Sequence, residues 1–141
     1  MTRIIEFIVA GKPLAKGRVR FVRSTGHAFT PERTVAYEGK VALAAQTAMN
    51  GRPPVEGPVA VLLDVRLPIP TSWPIKRQMA AELDHTRPVG KPDVDNYLKT
   101  LDACNNIVWL DDCQVVTATV TKRYHSNPGI TVTVDEWVPR L

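Results

Sequence analysis

Two groups of aspartates lie within one central stretch of the chain. Asp93 and Asp95 are two residues apart, and Lys99 follows Asp95 by four residues. A second pair, Asp111 and Asp112, comes after an apolar run. Carboxylates brought together repel one another unless a cation lies among them, and ligand sets made only of oxygen suit Mg²⁺ or Mn²⁺. If the two groups converge, they predict a divalent-metal site that meets phosphate.

Helical spacing would place several of these side chains on one face. Lys99 is one turn after Asp95, and Asp102 is two turns after it. A metal at this place can activate water and polarise a phosphoryl oxygen, while a lysine offsets the charge that builds on phosphorus. Simpler explanations stay open at this point. A helix cap at Asp95, an ordinary surface pair of Asp95 with Lys99 worth about 0.3–0.5 kcal/mol, and a turn containing Asp111 and Asp112 would each explain these residues without a metal.

Charge is divided unevenly along the chain. The first 53 residues carry nine Lys or Arg against three Asp or Glu, and the remaining residues carry nine against eleven. This division suits a protein that binds phosphates with one part and cations with another. The segment 12–23 could be a phosphate-binding arm or a strand edge protected from aggregation by charge. Its five cations are Lys12, Lys16, Arg18, Arg20 and Arg23.

Length and composition exclude several classes of protein. With 141 residues, of which 44% are hydrophobic, the sequence predicts one ordered domain spanning 1–141. No apolar run is long enough for a transmembrane helix, and the first residues lack the pattern of a signal peptide, so we expect a cytoplasmic protein. Cys104 and Cys113 have no companions for a zinc site. We expect both to be reduced and half-buried, although sequence alone leaves a disulfide open.

Hydrophobic periodicity and turn signals predict an α+β fold. Its sheet should be mixed or mostly antiparallel, packed with two main helices, and its last two strands should form a terminal hairpin. Residues 68–90 are interpreted as an insertion with a short helix capped by Ser72. The predicted strands are 4–10, a possible strand 18–23, 59–67, 113–124 and 130–137, and the predicted helices are 30–49, 73–83 and 95–103.

The central stretch resembles a known family of enzymes. Residues 91–96 read KPDVDN, Lys99 follows, and residues 108–115 read VWLDDCQV. This pattern is similar to that of the RusA family of phage and bacterial Holliday junction resolvases. The similarity is strong over about residues 91–120 and weaker towards both ends, where an opening strand, a Lys-Pro loop and a Thr-Pro helix start agree with it.

The resemblance implies a RusA-like homodimer that cuts four-way DNA junctions by paired nicks. It implies dependence on Mg²⁺, with Mn²⁺ as a substitute. The implied metal ligands are Asp93, Asp95 and Asp112, and the implied catalytic lysine is Lys99. Further implied roles are support of the site by Asp111 and Asn96, and DNA binding by Lys12, Lys16, Arg18, Arg20, Arg23 and Lys91.

Two departures from the family pattern leave questions open. Family members place an aspartate four residues after the lysine, whereas Asp102 follows Lys99 by three, so its role is undecided. The segment 68–90 is longer than in the shortest members. A magnesium-dependent nucleotide phosphohydrolase is an alternative, but no glycine-rich phosphate loop is present. A catalytically silent junction-binding protein is another, against which the intact acids and Lys99 argue.

Overall fold

The chain folds as strands and helices of the α+β class, as the sequence predicts. The computed structural model describes residues 2–16, 20–22, 27–29 and 32–140. The strands are β1 (Arg3–Ala10), β2 (Arg20–Val22), β3 (His27–Phe29), β4 (Val59–Leu67), β5 (Val115–Tyr124) and β6 (Gly129–Glu136). The helices are α1 (Glu32–Met49), α2 (Ile75–Glu82) and α3 (Val94–Leu98), with 3₁₀ helices at Lys99–Cys104 and Asp112–Gln114.

Four strands form the main sheet in the order β1-β6-β4-β5. The β1–β6 and β6–β4 pairs are antiparallel, and the β4–β5 pair is parallel, which confirms a mixed and mostly antiparallel sheet. β4 is central because its apolar residues need neighbours on both sides. Val61, Leu63 and Val65 of β4 are at most 2% exposed.

The predicted terminal hairpin is wrong. β5 pairs with β4, and β6 lies on the opposite side of β4, between β4 and β1. The connection must cross two strand spacings, about 10 Å, which four residues can span. His125 bonds to the end of β4 on the way, since its N–H donates to the Leu67 carbonyl at 2.9 Å. β5 is rich in threonine and carries charges near its end, so it can lie at the solvent-exposed edge of the sheet. The apolar β4 needs a neighbouring strand on each side.

Helix α1 covers the inner face of the sheet. Its buried residues include Tyr37, Val41 and Ala45, which pack in one core with Phe7 and Val9 of β1. The predicted cap of this helix, at residue 30, lies outside the described residues. The predicted stop is confirmed, because the helix ends before residues 50 and 51, which both have positive φ.

The short helix in segment 68–90 begins later than predicted. Pro74, not Ser72, occupies the cap position of α2. Residues 70–73 first form a turn in which the Trp73 N–H donates to the Pro70 carbonyl at 3.3 Å. The Trp73 ring then packs edge-on against Tyr124, with centroids 5.2 Å apart, and attaches the segment to the end of β5.

Both cysteines are free, as expected, but only one is buried. Cys104 has no exposed surface, and burial raises the pKa of its thiol to about 12. Cys113 is exposed, which corrects the expectation that it is half-buried. Among the described residues, no helix combines the length and the apolar content that crossing a membrane requires.

Candidate active site

The helix that carries the first aspartate pair is shorter than predicted. α3 has five residues, and a 3₁₀ helix continues it from Lys99. Asp93 occupies the N-cap position without a capping side-chain bond, and Asp95 lies in the first turn, so the N-cap predicted at or near Asp95 is two residues late. Tyr97 and Leu101 are buried in the core, which turns the opposite face of this helix towards solvent.

The change of helix type explains the unusual spacing of Asp102. A 3₁₀ helix has three residues per turn, so side chains three apart lie above one another. Lys99 and Asp102 both belong to the 3₁₀ helix, and their three-residue spacing therefore keeps them on one face. Asp102 accepts a hydrogen bond of 3.1 Å from Lys16, whose Nζ also lies 3.4 Å from Glu38. The structure thus places Asp102 beside the site.

The second aspartate pair sits in a turn held by Gln114. The Gln114 Oε1 accepts from the backbone N–H groups of Leu110 and Asp111, at 2.8 and 3.0 Å. Its Nε2 donates to the carbonyls of Val55 and Gly57, at 2.8 and 3.0 Å. One side chain therefore shapes the turn and fastens it to the loop before β4.

Asp111 and Asp112 have different roles in this turn. Asp111 caps the second 3₁₀ helix, since its Oδ1 accepts from the Cys113 N–H at 3.2 Å. Trp109, which is 1% exposed, anchors the preceding residues in the core and donates to Asn105 at 2.8 Å. Asp111 is thus tied to its own backbone, which leaves Asp112 to face the groove described next.

The two aspartate groups line one groove with a cavity volume of about 1220 Å³. Asp93 and Asp95 come from the start of α3, and Asp112 comes from the turn before β5. The groove therefore joins the two separate stretches that the sequence singles out. It is lined by Leu14, Ala15, Lys16, Arg33, Thr34, Lys91, Pro92, Asp93, Asp95, Asn96, Lys99, Asp102 and Asp112.

Neighbouring carboxylates alter the protonation of Asp112. A hydrogen bond with Asp111 and a second with Asp102 raise the pKa of Asp112 to about 6. The same contact with Asp112, together with the backbone N–H of Cys113, lowers the pKa of Asp111. These carboxylates are crowded enough to share a proton, and a bound cation would relieve that repulsion.

The carboxylate donors are of the type that a divalent cation accepts together with the oxygens of a substrate. Within the described residues, no three His, Cys, Asp or Glu side chains are grouped closely enough to hold a metal ion by themselves. Mg²⁺ seldom needs such a cage, because it keeps waters and takes one or two carboxylates together with substrate phosphates. Carboxylates on two walls of one groove match this mode. Lys99 adds a cation there, with its Nζ 3.8 Å from Asp95 and 3.4 Å from Asn96.

The predicted DNA-binding residues fall into three groups. Lys16 and Lys91 line the groove, and Lys16 is already paired with two acids there. Lys12 is exposed outside the groove lining. The predictions for Arg18 and Arg23 lie outside the described residues, and of Arg20 only the backbone, in β2, is described. Arg33, at the start of α1, lines the groove and was missed because nothing local links it to the aspartates.

Lys122 supports the loop that carries Asp93. Its Nζ donates to the carbonyls of Gly90 and Pro92, at 2.6 and 3.1 Å. Lys122 lies opposite the buried Val65 in the β4–β5 register, so it projects from the helix-covered face of the sheet. These two hydrogen bonds hold the loop immediately before Asp93.

We expect Lys122→Met to slow the junction cleavage that the sequence resemblance implies by about 10-fold, and to lower the free energy of unfolding by about 1–3 kcal/mol, because two hydrogen bonds from a charged donor are lost. Lys122→Arg should recover part of both. Urea unfolding and single-turnover cleavage measure the two effects. Arg123→Met is the matched control on the next residue, because Arg123 pairs instead with Asp64 at 2.9 Å. If Lys122→Met and Arg123→Met lowered the cleavage rate equally at the same stability, Lys122 would not act on cleavage by holding the loop before Asp93.

The fold and the groove define an α+β domain with an acidic, lysine-bordered groove suited to phosphate chemistry. Residues 10–135 match the family model described as endodeoxyribonuclease RusA, so the chain belongs to the RusA family. It is therefore an enzyme of the endodeoxyribonuclease class, in a family that acts on branched DNA junctions. A relative in Bacillus subtilis (strain 168), the uncharacterized protein YqaN, is 37% identical over 139 residues, covering 94% of this chain and 96% of the relative.

Proposed function

We propose that this protein is a Mg²⁺-dependent nuclease that resolves four-way DNA junctions by paired nicks. It acts as a homodimer in recombination or repair, in the cytoplasm. One observation carries the proposal: Asp93 and Asp95 line the same groove as Asp112, and Lys99 lies among them. The match to the RusA family supports the same chemistry.

Three carboxylates are the proposed metal ligands. Asp93, Asp95 and Asp112 would hold Mg²⁺ with one or two of their carboxylates at a time, because the three are not grouped closely enough to form a cage, and waters and a DNA phosphate would complete its shell. Mn²⁺ would substitute because it accepts the same oxygen donors. When bound, the ion supplies activation of water and stabilisation of charge on the phosphate. Asp102 borders Asp112 and adds negative charge at this wall, which favours a cation there.

Other side chains of the groove position the DNA. Lys99 sets a positive charge beside Asp95, where it can offset the charge that builds on the phosphate in the transition state. Lys91 and Arg33 offer cations to neighbouring backbone phosphates. Cleavage breaks the bond between phosphorus and the 3′ oxygen, so the products carry 5′-phosphate and 3′-hydroxyl ends.

The test is incubation of a synthetic four-way junction with the protein, in Mg²⁺ and in EDTA. We expect paired nicks only with the metal, and we expect a ligase to reseal the products. Binding without cleavage in Mg²⁺ would instead indicate a silent junction-binding protein. Hydrolysis of free nucleotides with the junction left intact would indicate a phosphohydrolase.

A further inference from the structure

Lys16 is packed into the wall of the groove. Its side chain is only 27% exposed. Pro13, three residues earlier, is buried, and residues 14 and 15 pack against the core. The backbone N–H of Lys16 donates to the Asn96 carbonyl at 3.1 Å, which attaches this part of the chain to α3. Lys16 therefore belongs to the folded wall of the groove and does not extend from it as a free cation would.

The positive charge of Lys16 is already used within the protein. Its Nζ donates to the Asp102 Oδ2 at 3.1 Å and lies 3.4 Å from the Glu38 Oε1. Burial lowers the pKa of the Lys16 ammonium, but the hydrogen bond with Asp102 and the charge of Glu38 outweigh this effect and raise the pKa above its ordinary value. Two carboxylates thus share one cation, and the three groups together carry one net negative charge. Such a group repels a DNA phosphate more than it attracts it.

Asp102 connects Lys16 to a proposed metal ligand. Its side chain also forms a hydrogen bond with Asp112. Asp102 lies on the 3₁₀ helix that follows α3, whereas Asp112 comes from the turn before β5 and Glu38 comes from α1. The contacts from Lys16 through Asp102 to Asp112 therefore join the elements that build this side of the groove. Without the cation, Asp102 would present a further uncompensated negative charge to an ion bound at Asp112.

We propose that Lys16 is a positioning residue for the metal site. It fixes Asp102 beside Asp112 and offsets part of the negative charge on this side of the groove. This role rests on the proposed function, since it assumes that Asp112 binds a divalent ion. It replaces the role in DNA binding that the sequence resemblance implies for Lys16. Lys91 and Arg33 remain the proposed phosphate contacts in the groove.

Binding of Mn²⁺ in the absence of DNA is the first test. Lys16→Met removes a positive charge near the proposed ion, so we expect this variant to bind Mn²⁺ about 3–10-fold more tightly than the wild type. Combining Lys16→Met with Asp102→Asn removes one charge of each sign, and the affinity should return to within about 2-fold of the wild-type value. Electron paramagnetic resonance of free Mn²⁺ measures both affinities, and urea unfolding checks that each variant is folded. Loss of a purely structural residue would instead loosen the site and weaken Mn²⁺ binding.

Kinetics and salt dependence distinguish positioning from contact with DNA. We expect Lys16→Met to lower kcat for junction cleavage by about 10–30-fold and to change KM by less than about 2-fold, since the geometry of the site is altered and the contacts to DNA are kept. The salt dependence of junction binding in Ca²⁺ should not change, whereas Lys91→Met should reduce it by about one ion. Lys16→Arg keeps the charge and should recover part of kcat.

The double variant tests whether Lys16 acts through Asp102. Lys16→Met combined with Asp102→Asn should cut no more slowly than Lys16→Met alone, because both substitutions break the same contact. The double variant also leaves no unpaired charge at Asp102, so it keeps the test valid if Lys16→Met alone is poorly folded. Two independent contributions would instead multiply the losses in kcat of the two single variants.

Any of four results would overturn the positioning role. They are unchanged or weaker Mn²⁺ binding by Lys16→Met, an unchanged kcat, a salt dependence reduced by one ion, and losses in kcat that multiply in the double variant. If the wild type cuts junctions but Lys16→Met behaves like Lys91→Met, the nuclease proposal stands and Lys16 is a DNA contact. If the wild type cuts no junction, the nuclease proposal fails, and the Mn²⁺ affinities alone decide whether Lys16 and Asp102 act together at the metal site.

Discussion

Asp95→Asn is expected to give a folded protein that binds a four-way junction but cuts it at least about 1000-fold more slowly than the wild type. The substitution keeps the shape of the side chain and removes the negative charge that a divalent ion needs. The substitution should change the free energy of unfolding little, because the Asp95 side chain is 65% exposed and its ion pair with Lys99 is long, at 3.8 Å. Such surface pairs contribute about 0–1 kcal/mol.

Three measurements together check this prediction. Single-turnover cleavage in Mg²⁺ reports the chemistry, a mobility shift in Ca²⁺ reports junction binding, and urea unfolding reports stability. Asp135→Asn is the matched control, because this aspartate lies on β6, outside the groove lining, and pairs with Arg3 at 3.0 Å. Cleavage by Asp95→Asn at the rate of Asp135→Asn would remove Asp95 from the proposed metal site.

The sequence predicted those bounds of strands and helices that are determined by neighbouring residues. The bounds of β4 were predicted because a run rich in valine and leucine, residues 59–67, ends at Pro68. The end of α1 was predicted because Asn50 and Gly51 accept positive φ. Strand pairing is different, since nothing in the sequence near β5 and β6 shows that β4 lies between them. The most apolar strand, β4, lies in the interior of the sheet. Which strand lies there depends on the hydrophobicity of all the strands compared with one another.

The change from α3 to a 3₁₀ helix has no signal in the spacing of the buried residues. Tyr97, Leu101 and Cys104 are all buried in the core, and their spacing of four and then three residues is that of one face of an α-helix. Thr100 is buried among them, and its hydroxyl donates to the Tyr97 carbonyl at 2.6 Å. Periodicity alone predicted a continuous α-helix, and the register of Asp102 could not be derived from it.

The candidate site was predictable to the extent that its residues are close in sequence. The aspartates and Lys99 lie within 20 residues and carry a spacing that chemistry can interpret. Arg33 reaches the groove from α1, and Lys122 reaches the Asp93 loop from β5. An isolated cation on a helix or an inward strand position has no local signal that distinguishes it from a solvated surface residue. Arg33 and Lys122 come close to the aspartates only because elements distant in sequence pack together.

Lys99→Met is expected to lower the cleavage rate by about 100–1000-fold while junction affinity changes little. Methionine keeps the apolar stem of the side chain and removes the ammonium group. That group lies within 4 Å of Asp95 and Asn96, and 58% of the side chain is exposed to the groove and solvent. A charge that acts mainly in the transition state changes kcat, whereas a charge that only holds DNA changes KM.

Lys91→Met is the matched control for Lys99→Met, because Lys91 lines the same groove and is proposed to contact only backbone phosphate. We expect it to weaken binding, to reduce the salt dependence of binding by about one ion, and to leave kcat near the wild-type value. Lys99→Arg should recover part of the rate, since the positive charge is restored in a different shape. The prediction would be contradicted if Lys99→Met and Lys91→Met raised KM by the same factor and left kcat unchanged. Lys99 would then be a DNA contact. The metal alone would have to offset the negative charge of the transition state.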